Sequence, residues 1–164
     1  MTSNNRIVVI GVGGGVSNAV NRMIKEGITG VEFVVVDTDY QALQWSNAAL
    51  RIWIGDRTIP NGTHGNSELG RRSAEESAEE LRSFLKGADM VFIVDGMGDG
   101  TGNGALPIVA RIAKEVGAVT IAIVTKPSTF EGKRRKIIAE IGINQLKDQV
   151  NTLIVIPKIL DLQI

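Results

Sequence analysis

The sequence predicts an α/β domain of three layers, one parallel sheet with helices on both faces. Short runs of β-branched residues alternate with stretches of helical pattern, which is the order of a parallel sheet with crossover helices. The strand runs are apolar at consecutive positions, so both of their faces are buried. Glycines cluster directly after two of these runs, where the chain must turn tightly or approach a ligand with bare backbone.

Taken in order, Ile7–Ile10 reads as a buried strand and Asn18–Lys25 as a helix ending near Gly27. Phe33–Val36 is a second strand and Leu50–Ile54 a weaker third. Asp56–Ser67 is a loop rich in Gly, Asn, Thr and Pro, and Ser67 is a candidate helix cap. Glu68–Lys86 is charged, with Leu69, Ala78, Leu81 and Leu85 at near-helical spacing, and Gly87 is placed to end it. Met90–Val94 is a strong strand, Asp95–Gly104 a glycine loop, and Leu106–Val116 a helix with Pro107 in its first turn and Gly117 as its stop. Ala118–Thr125 is a strand, Thr129–Val150 a long helix and Thr152–Ile156 the last strand before Pro157. In such sheets the ligand lies at the carboxyl ends of the strands, where strand order reverses.

Composition removes several function classes. The 164 residues suit one domain with a substantial core. The 18 basic residues balance the 18 acidic ones, so no broad field draws the chain to nucleic acid or to a membrane surface. There is no cysteine, hence no disulfide and no thiolate metal site, and the single histidine, His64, argues against a histidine cage. No apolar run is long enough to span a bilayer, and Met1–Arg6 has neither a signal core nor a transit-peptide pattern. A cytoplasmic protein is expected, or one of the plastid stroma if a transit peptide has been removed. Lys133–Lys136, a basic run, reads as solvated helix surface.

The chemistry is concentrated in the two glycine loops. Gly11-Val-Gly-Gly-Gly-Val-Ser-Asn18 leads from a strand into a helix, so its N–H groups and the helix N-terminus favour an anion. Gly96-Met-Gly-Asp-Gly-Thr-Gly-Asn-Gly104 repeats glycine at every second position and includes Thr101, which suits a phosphate cradle. Two such loops on neighbouring strands would hold one polyphosphate from both sides. A P-loop fails, because Gly132-Lys133-Arg134 lacks the upstream glycine and the downstream hydroxyl. The dinucleotide fingerprint fits at Gly11 and Gly13 but meets Val16 at its third place; Asp37 could still bind a ribose, so this alternative stays open. Gly15-Val-Ser17-Asn-Ala19 mimics a nucleophile elbow without its last glycine, a weaker case for a hydrolase at Ser17.

With these loops in view, the chain resembles the tubulin/FtsZ family from about Ile7 to Pro157. Gly98-Asp-Gly-Thr-Gly-Asn-Gly104 is similar to the family signature G-G-G-T-G-[TS]-G with two changes. Gly11-Val-Gly-Gly-Gly15, Asn18–Val20, Gly30–Phe33, Thr38-Asp39, Gln41–Leu43, Ala74–Ser77, Gly87–Phe92, Phe130–Gly132 and Thr152–Pro157 also resemble it, in the same order. The resemblance implies a Rossmann-like GTP-binding domain of a polymerising cell-division or plastid-division protein, active in septation. Its partners would be a guanine nucleotide, GTP or GDP with possible Mg²⁺, and either itself or a full-length division-protein filament, with no nucleic acid and no direct membrane insertion. Gly13, Gly14, Gly15, Ser17 and Asn18 would meet the nucleotide from the first loop. Gly98, Gly100, Thr101, Gly102, Asn103 and Gly104 would hold its phosphates from the second. Glu131 and Arg135 would reach the ribose side, where a carboxylate accepts hydroxyls and a guanidinium suits phosphate or a ring face.

The chain also departs from the family. Asp99 stands at a glycine position, Asp95 at that of a small neutral residue, Val16 at a glycine, Asn103 at a Thr or Ser and Asp37 at an Asn, while His64 and Ser67 interrupt the G-A-G-A-N-P loop. Two like charges about 5 Å apart cost on the order of 3 kcal/mol at an effective dielectric of roughly 20, about a hundredfold in affinity, unless a cation intervenes. After Pro157 the family continues into a central helix and a second domain that carries the acidic loop for hydrolysis. Residues 1–164 therefore read as the nucleotide-binding domain alone, truncated, with no self-contained hydrolysis and with apolar surface exposed. A second reading follows from those departures: a degenerate homologue that docks on or caps a division filament with weak or no nucleotide.

Overall fold

The computed structural model describes residues 4–55, 59 and 62–157. Asp56, which opens the expected loop, and the Lys158–Ile164 ending lie outside the described residues. Six strands form one sheet: β1 (Ile7–Val12), β2 (Glu32–Asp37), β3 (Leu50–Trp53), β4 (Met90–Gly96), β5 (Val119–Lys126) and β6 (Thr152–Pro157). Their order is β3-β2-β1-β4-β5-β6 and every pairing is parallel. The expected fold class is the observed one.

The helices are α1 (Ser17–Lys25), α2 (Tyr40–Gln44), α3 (Ser67–Glu76), α4 (Ala78–Leu85), α5 (Gly100–Glu115) and α6 (Lys133–Lys147). Alternation along the strands assigns them to two layers. Val8, Ile10 and Val12 of β1, with Val91 and Ile93 of β4, pack with Ala74, Leu81, Leu85, Leu106, Val109 and Leu146, so α3 to α6 cover one face. Val9, Val35 and Val94 pack with Val16, Val20 and Leu43, which places α1 and α2 on the other. On this second face the outward residues Val119, Ile154 and Ile156 are 46%, 45% and 45% exposed. Among the described residues, apolar side chains are thus half-exposed on this face of β5 and β6.

Several boundaries differ from expectation. The helix expected over Glu68–Lys86 is two helices with a break at Ser77, whose φ of −98° and ψ of 13° leave the helical region. The kink keeps Ala74 before it and Leu81 and Leu85 after it on one core. The cap is Asn66 rather than Ser67: its side chain accepts from the Glu68 and Leu69 amides at 3.0 and 3.3 Å. The helix expected from Thr129 starts as a 3₁₀ turn (Thr129–Glu131) and is broken at Gly132, whose φ is +97°. Helix α2, with no counterpart in the sequence reading, is too short to show a period and is capped by Asp39, which accepts from Gln41 N at 2.9 Å.

The largest correction lies in the second glycine segment. Strand β4 runs on to Gly96 and helix α5 begins at Gly100, so the loop is only Met97–Asp99. Pro107 therefore sits inside α5 rather than in its first turn, and offers no N–H to the carbonyl one turn back. The glycines serve helix packing as well as the loop. A side chain on Gly70 of α3 would lie 2.3 Å from the Gly100 carbonyl oxygen, and one on Gly104 would lie 1.8 Å from the Ser67 carbonyl oxygen. Arg111 of α5 then closes a two-pronged ion pair on Glu75 of α3, with both contacts at 3.0 Å.

This packing is directly testable. Gly104→Ala gains about 1 kcal/mol of helix propensity, but its methyl meets backbone that cannot rotate away, and overpacking of that kind costs about 3 kcal/mol or more. The expected outcome is a net loss of about 2 kcal/mol in urea unfolding followed by circular dichroism.

Candidate functional site

Strand order reverses between β1 and β4: the chain runs outward from β1 to β2 and β3, then returns to β4 on the other side. The crevice above this reversal is where a parallel sheet receives a ligand. Both glycine segments open into it, because Ile7–Gly11 pair residue for residue with Met90–Val94.

The first loop turns at Gly13, whose φ is +95° and whose amide donates to the Val36 carbonyl at 2.8 Å. That bond anchors the turn to β2 and leaves Gly14 and Gly15 exposed at the start of the helical stretch. A side chain on Gly13 would come within 3.1 Å of the Gly102 amide nitrogen, 3.2 Å of Asp99 Oδ2 and 3.4 Å of Asp95 Oδ1. The two loops thus lie within one side chain's breadth of each other, and the positive φ at Gly13 strains any larger residue there.

Two cavities flank this junction. One, of about 320 Å³, is bounded by Gly15, Asp95, Gly96, Asp99, Glu131 and Arg135, with apolar walls from Val16 and Pro127. The other, of about 230 Å³, is bounded by Gly14, Asp37, Thr38, Thr63, Gly100 and Thr101. Asp99 borders both.

The expected site residues divide on these facts. Gly13, Gly14, Gly15, Gly100, Thr101 and Gly102 meet at the junction, and Glu131 and Arg135 line the larger cavity. Gly14 and Gly15, with Gly100 and Thr101, stand in first turns, where backbone amides have no helical acceptor. Asn18 is exposed on the first turn of α1. The other expected contacts are committed elsewhere. Gly104 faces α3, as described. Asn103 is buried; its Oδ1 accepts from Gly98 N at 3.1 Å and its Nδ2 donates to the Ile138 carbonyl at 2.7 Å. It ties the second loop to α6, and it uses the Gly98 amide in doing so. Among the described residues the buried Ser17 hydroxyl has no hydrogen-bond partner, so none of them acts as a base to make it a nucleophile.

Two threonines not expected at the site, Thr38 and Thr63, join Thr101 in the smaller cavity. Thr38, Thr63 and Thr101 are buried, with Thr101 Oγ1 2.7 Å from Thr38 Oγ1 and 3.2 Å from Thr63 Oγ1. Thr38 directly follows β2, and Thr125 and Pro127 mark the end of β5. The strand-end rule that pointed to the glycines would have found these as well.

Glu131 is held by its own turn: Oε2 accepts from Ser128 N at 2.7 Å and Oε1 from Arg135 at 3.1 Å. The acids at the junction are strained electrostatically. Burial pushes Asp37 up to about 6; the charges of Asp99 and Asp39 add to this, and the Thr38 and Asp39 amides oppose it. Burial, then the charges of Asp99 and Asp37, raise Asp95 well above the usual carboxylate range, with the Gly96 amide opposing. Asp99 is raised by burial and held back by the Gly102 and Asn103 amides and by Arg135.

A fold of this order with paired glycine turns at its switch point defines a nucleotide-binding α/β domain. Residues 6–158 match the family described as "Tubulin/FtsZ family, GTPase domain", and the chain belongs to that family. It is 43% identical to an empty FtsZ dimer from M. jannaschii, with a TM-score of 0.91 over 93% of this chain and 45% of that one. It is 26% identical to CetZ2 from Haloferax volcanii in a GTPγS-bound protofilament, with a TM-score of 0.82 over 93% of this chain and 49% of that one. The fold is shared with TubZ of Clostridium botulinum phage c-st at 16% identity, with a TM-score of 0.79 over 94% of this chain and 52% of that one. The chain spans about half the length of these solved relatives. Among the described residues no helix is long and apolar enough to cross a membrane.

The acid cluster predicts a pH dependence. Because Asp37 ionises near 6 when folded and near 3.8 when unfolded, the folded state holds the extra proton between these values. Its contribution is present at low pH and is lost as pH rises toward 6, by about 3 kcal/mol at most. In chelator without nucleotide, Asp37→Asn should lose less urea stability than the unsubstituted chain between pH 4 and 6.5, where Asp39, Asp95 and Asp99 also face this carboxyl.

Proposed function

We propose that this chain binds GTP or GDP, with the phosphates across the junction of the two glycine segments and the base and ribose in the larger cavity. The observation that carries the reading is the closeness of the two loops: a side chain on Gly13 would reach to 3.1 Å from the Gly102 amide nitrogen, so both glycine segments border one space. The Gly14, Gly15, Gly100 and Thr101 amides supply donors to the phosphates, and two helix N-termini add positive partial charge. Glu131 accepts from the ribose and Arg135 offers a cation at the same wall. Val16, Val94 and Pro127 form apolar wall against which a base can pack. Mg²⁺ bound with the nucleotide would neutralise phosphate charge. The related dimer and protofilament support self-association of this chain, or its addition to a full-length division filament, in the cytoplasm or plastid stroma. Hydrolysis would then draw its acidic loop from another subunit.

One observation favours the second reading, a docking or capping module with weak nucleotide binding. The Gly102 amide is already taken by Asp99 Oδ1 at 2.6 Å, so part of the anion site at the start of α5 is filled by the protein's own carboxylate.

Calorimetric titration with GTP, GDP, ATP and NAD separates these. Micromolar affinity for GTP and GDP in Mg²⁺ buffer, with ATP and NAD much weaker, is expected. Absence of guanine-nucleotide binding together with capture by a division filament would establish the docking module instead, and NAD binding alone would restore the dinucleotide reading. Thr101→Ala removes the hydroxyl shared with Thr38 and Thr63 and should weaken GTP binding roughly tenfold. An unchanged affinity would remove Thr101 from the site.

A further inference from the structure

We infer that Asp95 and Asp99 form the protein half of a divalent-cation seat that the nucleotide's phosphates complete, an assignment that rests on the nucleotide reading above. Asp95 lies near the end of β4 and is 2% exposed, and among the described residues neither of its carboxylate oxygens has a well-formed hydrogen bond, the Gly96 amide being its one nearby donor. A buried carboxylate so poorly supplied with donors is costly, and one placed at the mouth of an anion site is costlier still. Asp99 spends Oδ1 on the Gly102 amide and turns Oδ2 toward Gly13. The space beside Gly13 is 3.2 Å from Asp99 Oδ2 and 3.4 Å from Asp95 Oδ1, so both acids address one point between the loops.

The surrounding charges do not resolve this. Asp37 presents a third oxygen, Oδ2, which is buried and has no hydrogen-bond partner among the described residues, 3.5 Å from the corresponding space beside Gly14. Asp39 adds to the negative field at Asp37. Arg135 offsets Asp99 but is already paired with Glu131. Entry of a polyphosphate would bring more negative charge to the same place.

A hard cation resolves both problems, because its ligands are oxygens. Among the described residues no group of three or more acids or histidines is arranged to hold a metal. The ion therefore completes its shell with water, which phosphate oxygens replace in part once the nucleotide is bound. This is the habit of Mg²⁺, which takes one or two carboxylates together with substrate phosphates. Glycine at 102 is part of the seat, since a side chain there would lie 1.8 Å from Asp95 Oδ2.

The test uses the whole 164-residue chain. Calorimetry with GTP in Mg²⁺ and then in EDTA should show affinity about a hundredfold weaker in EDTA, the size of one uncompensated like-charge contact. Asp99→Asn keeps an oxygen for the helix cap, and Asp95→Asn is close to isosteric; each should bind GTP more tightly than the unsubstituted chain in EDTA and show a ratio of roughly tenfold or less. Should either variant fail to fold, uptake of Mn²⁺ by the unsubstituted chain, read by electron paramagnetic resonance without nucleotide, is the independent check: one ion per chain is expected. Equal GTP affinity in Mg²⁺ and EDTA, the same ratio in the variants as in the parent, or no Mn²⁺ uptake would each overturn the seat and leave nucleotide binding standing. Mn²⁺ uptake with no GTP binding in either buffer would keep the seat and overturn the nucleotide reading.

Discussion

The parallel pairing of β1 with β4 is the contact on which the candidate site depends. Neither strand carries the site by itself. Each ends in a turn that points off the sheet, and the register of Ile7 with Met90 through Gly11 with Val94 brings those turns together. A shift by one residue would also exchange the faces of the strand that moved, taking Ile10 of β1 or Ile93 of β4 out of the larger core. The hydrophobic pattern of two central strands therefore fixes the position of the backbone amides above them.

Close backbone approach is the second constraint, and it divides the glycines by purpose. Gly13 and Gly102 let the two loops approach each other and the acids beside them more closely than side chains would allow. Gly70, Gly100 and Gly104 allow α3 to pack directly on the first turns of α5, so the same segment is both a ligand surface and a helix interface. Asp99 sits where these demands meet. It caps α5, borders both cavities and adds charge where an anion is to bind. A residue with so many contacts couples the stability of α5 to the electrostatics of the site.

Much of this architecture was legible in the sequence, because consecutive β-branched runs such as Phe33–Val36 and Met90–Val94 have no other stable placement than a doubly covered sheet. The adjacency of the two glycine segments was legible for the same reason. What was not legible depends on three-dimensional approach. Gly100 and Gly104 look like loop residues until α3 is placed against them, and Asn103 looks like a phosphate donor until Ile138 is placed beside it. The Ser77 break and the Gly132 break interrupt runs that remain helical in composition. Thr38 and Thr63 were missed because an isolated threonine carries no pattern; only the end of β2 and the loop after β3 give them meaning.

The pairing of Ile7 with Met90 has a kinetic consequence. The whole β4 side of β1 must wait until the intervening chain, with β2, α2, β3, α3 and α4, has been synthesised and closed into a loop. Closure of so long a segment delays the rewarding contacts and slows folding. The recess between the two turns is absent from any partly ordered chain that lacks this closure. Whatever occupies it therefore recognises only completed molecules, and by mass action it holds them in that state.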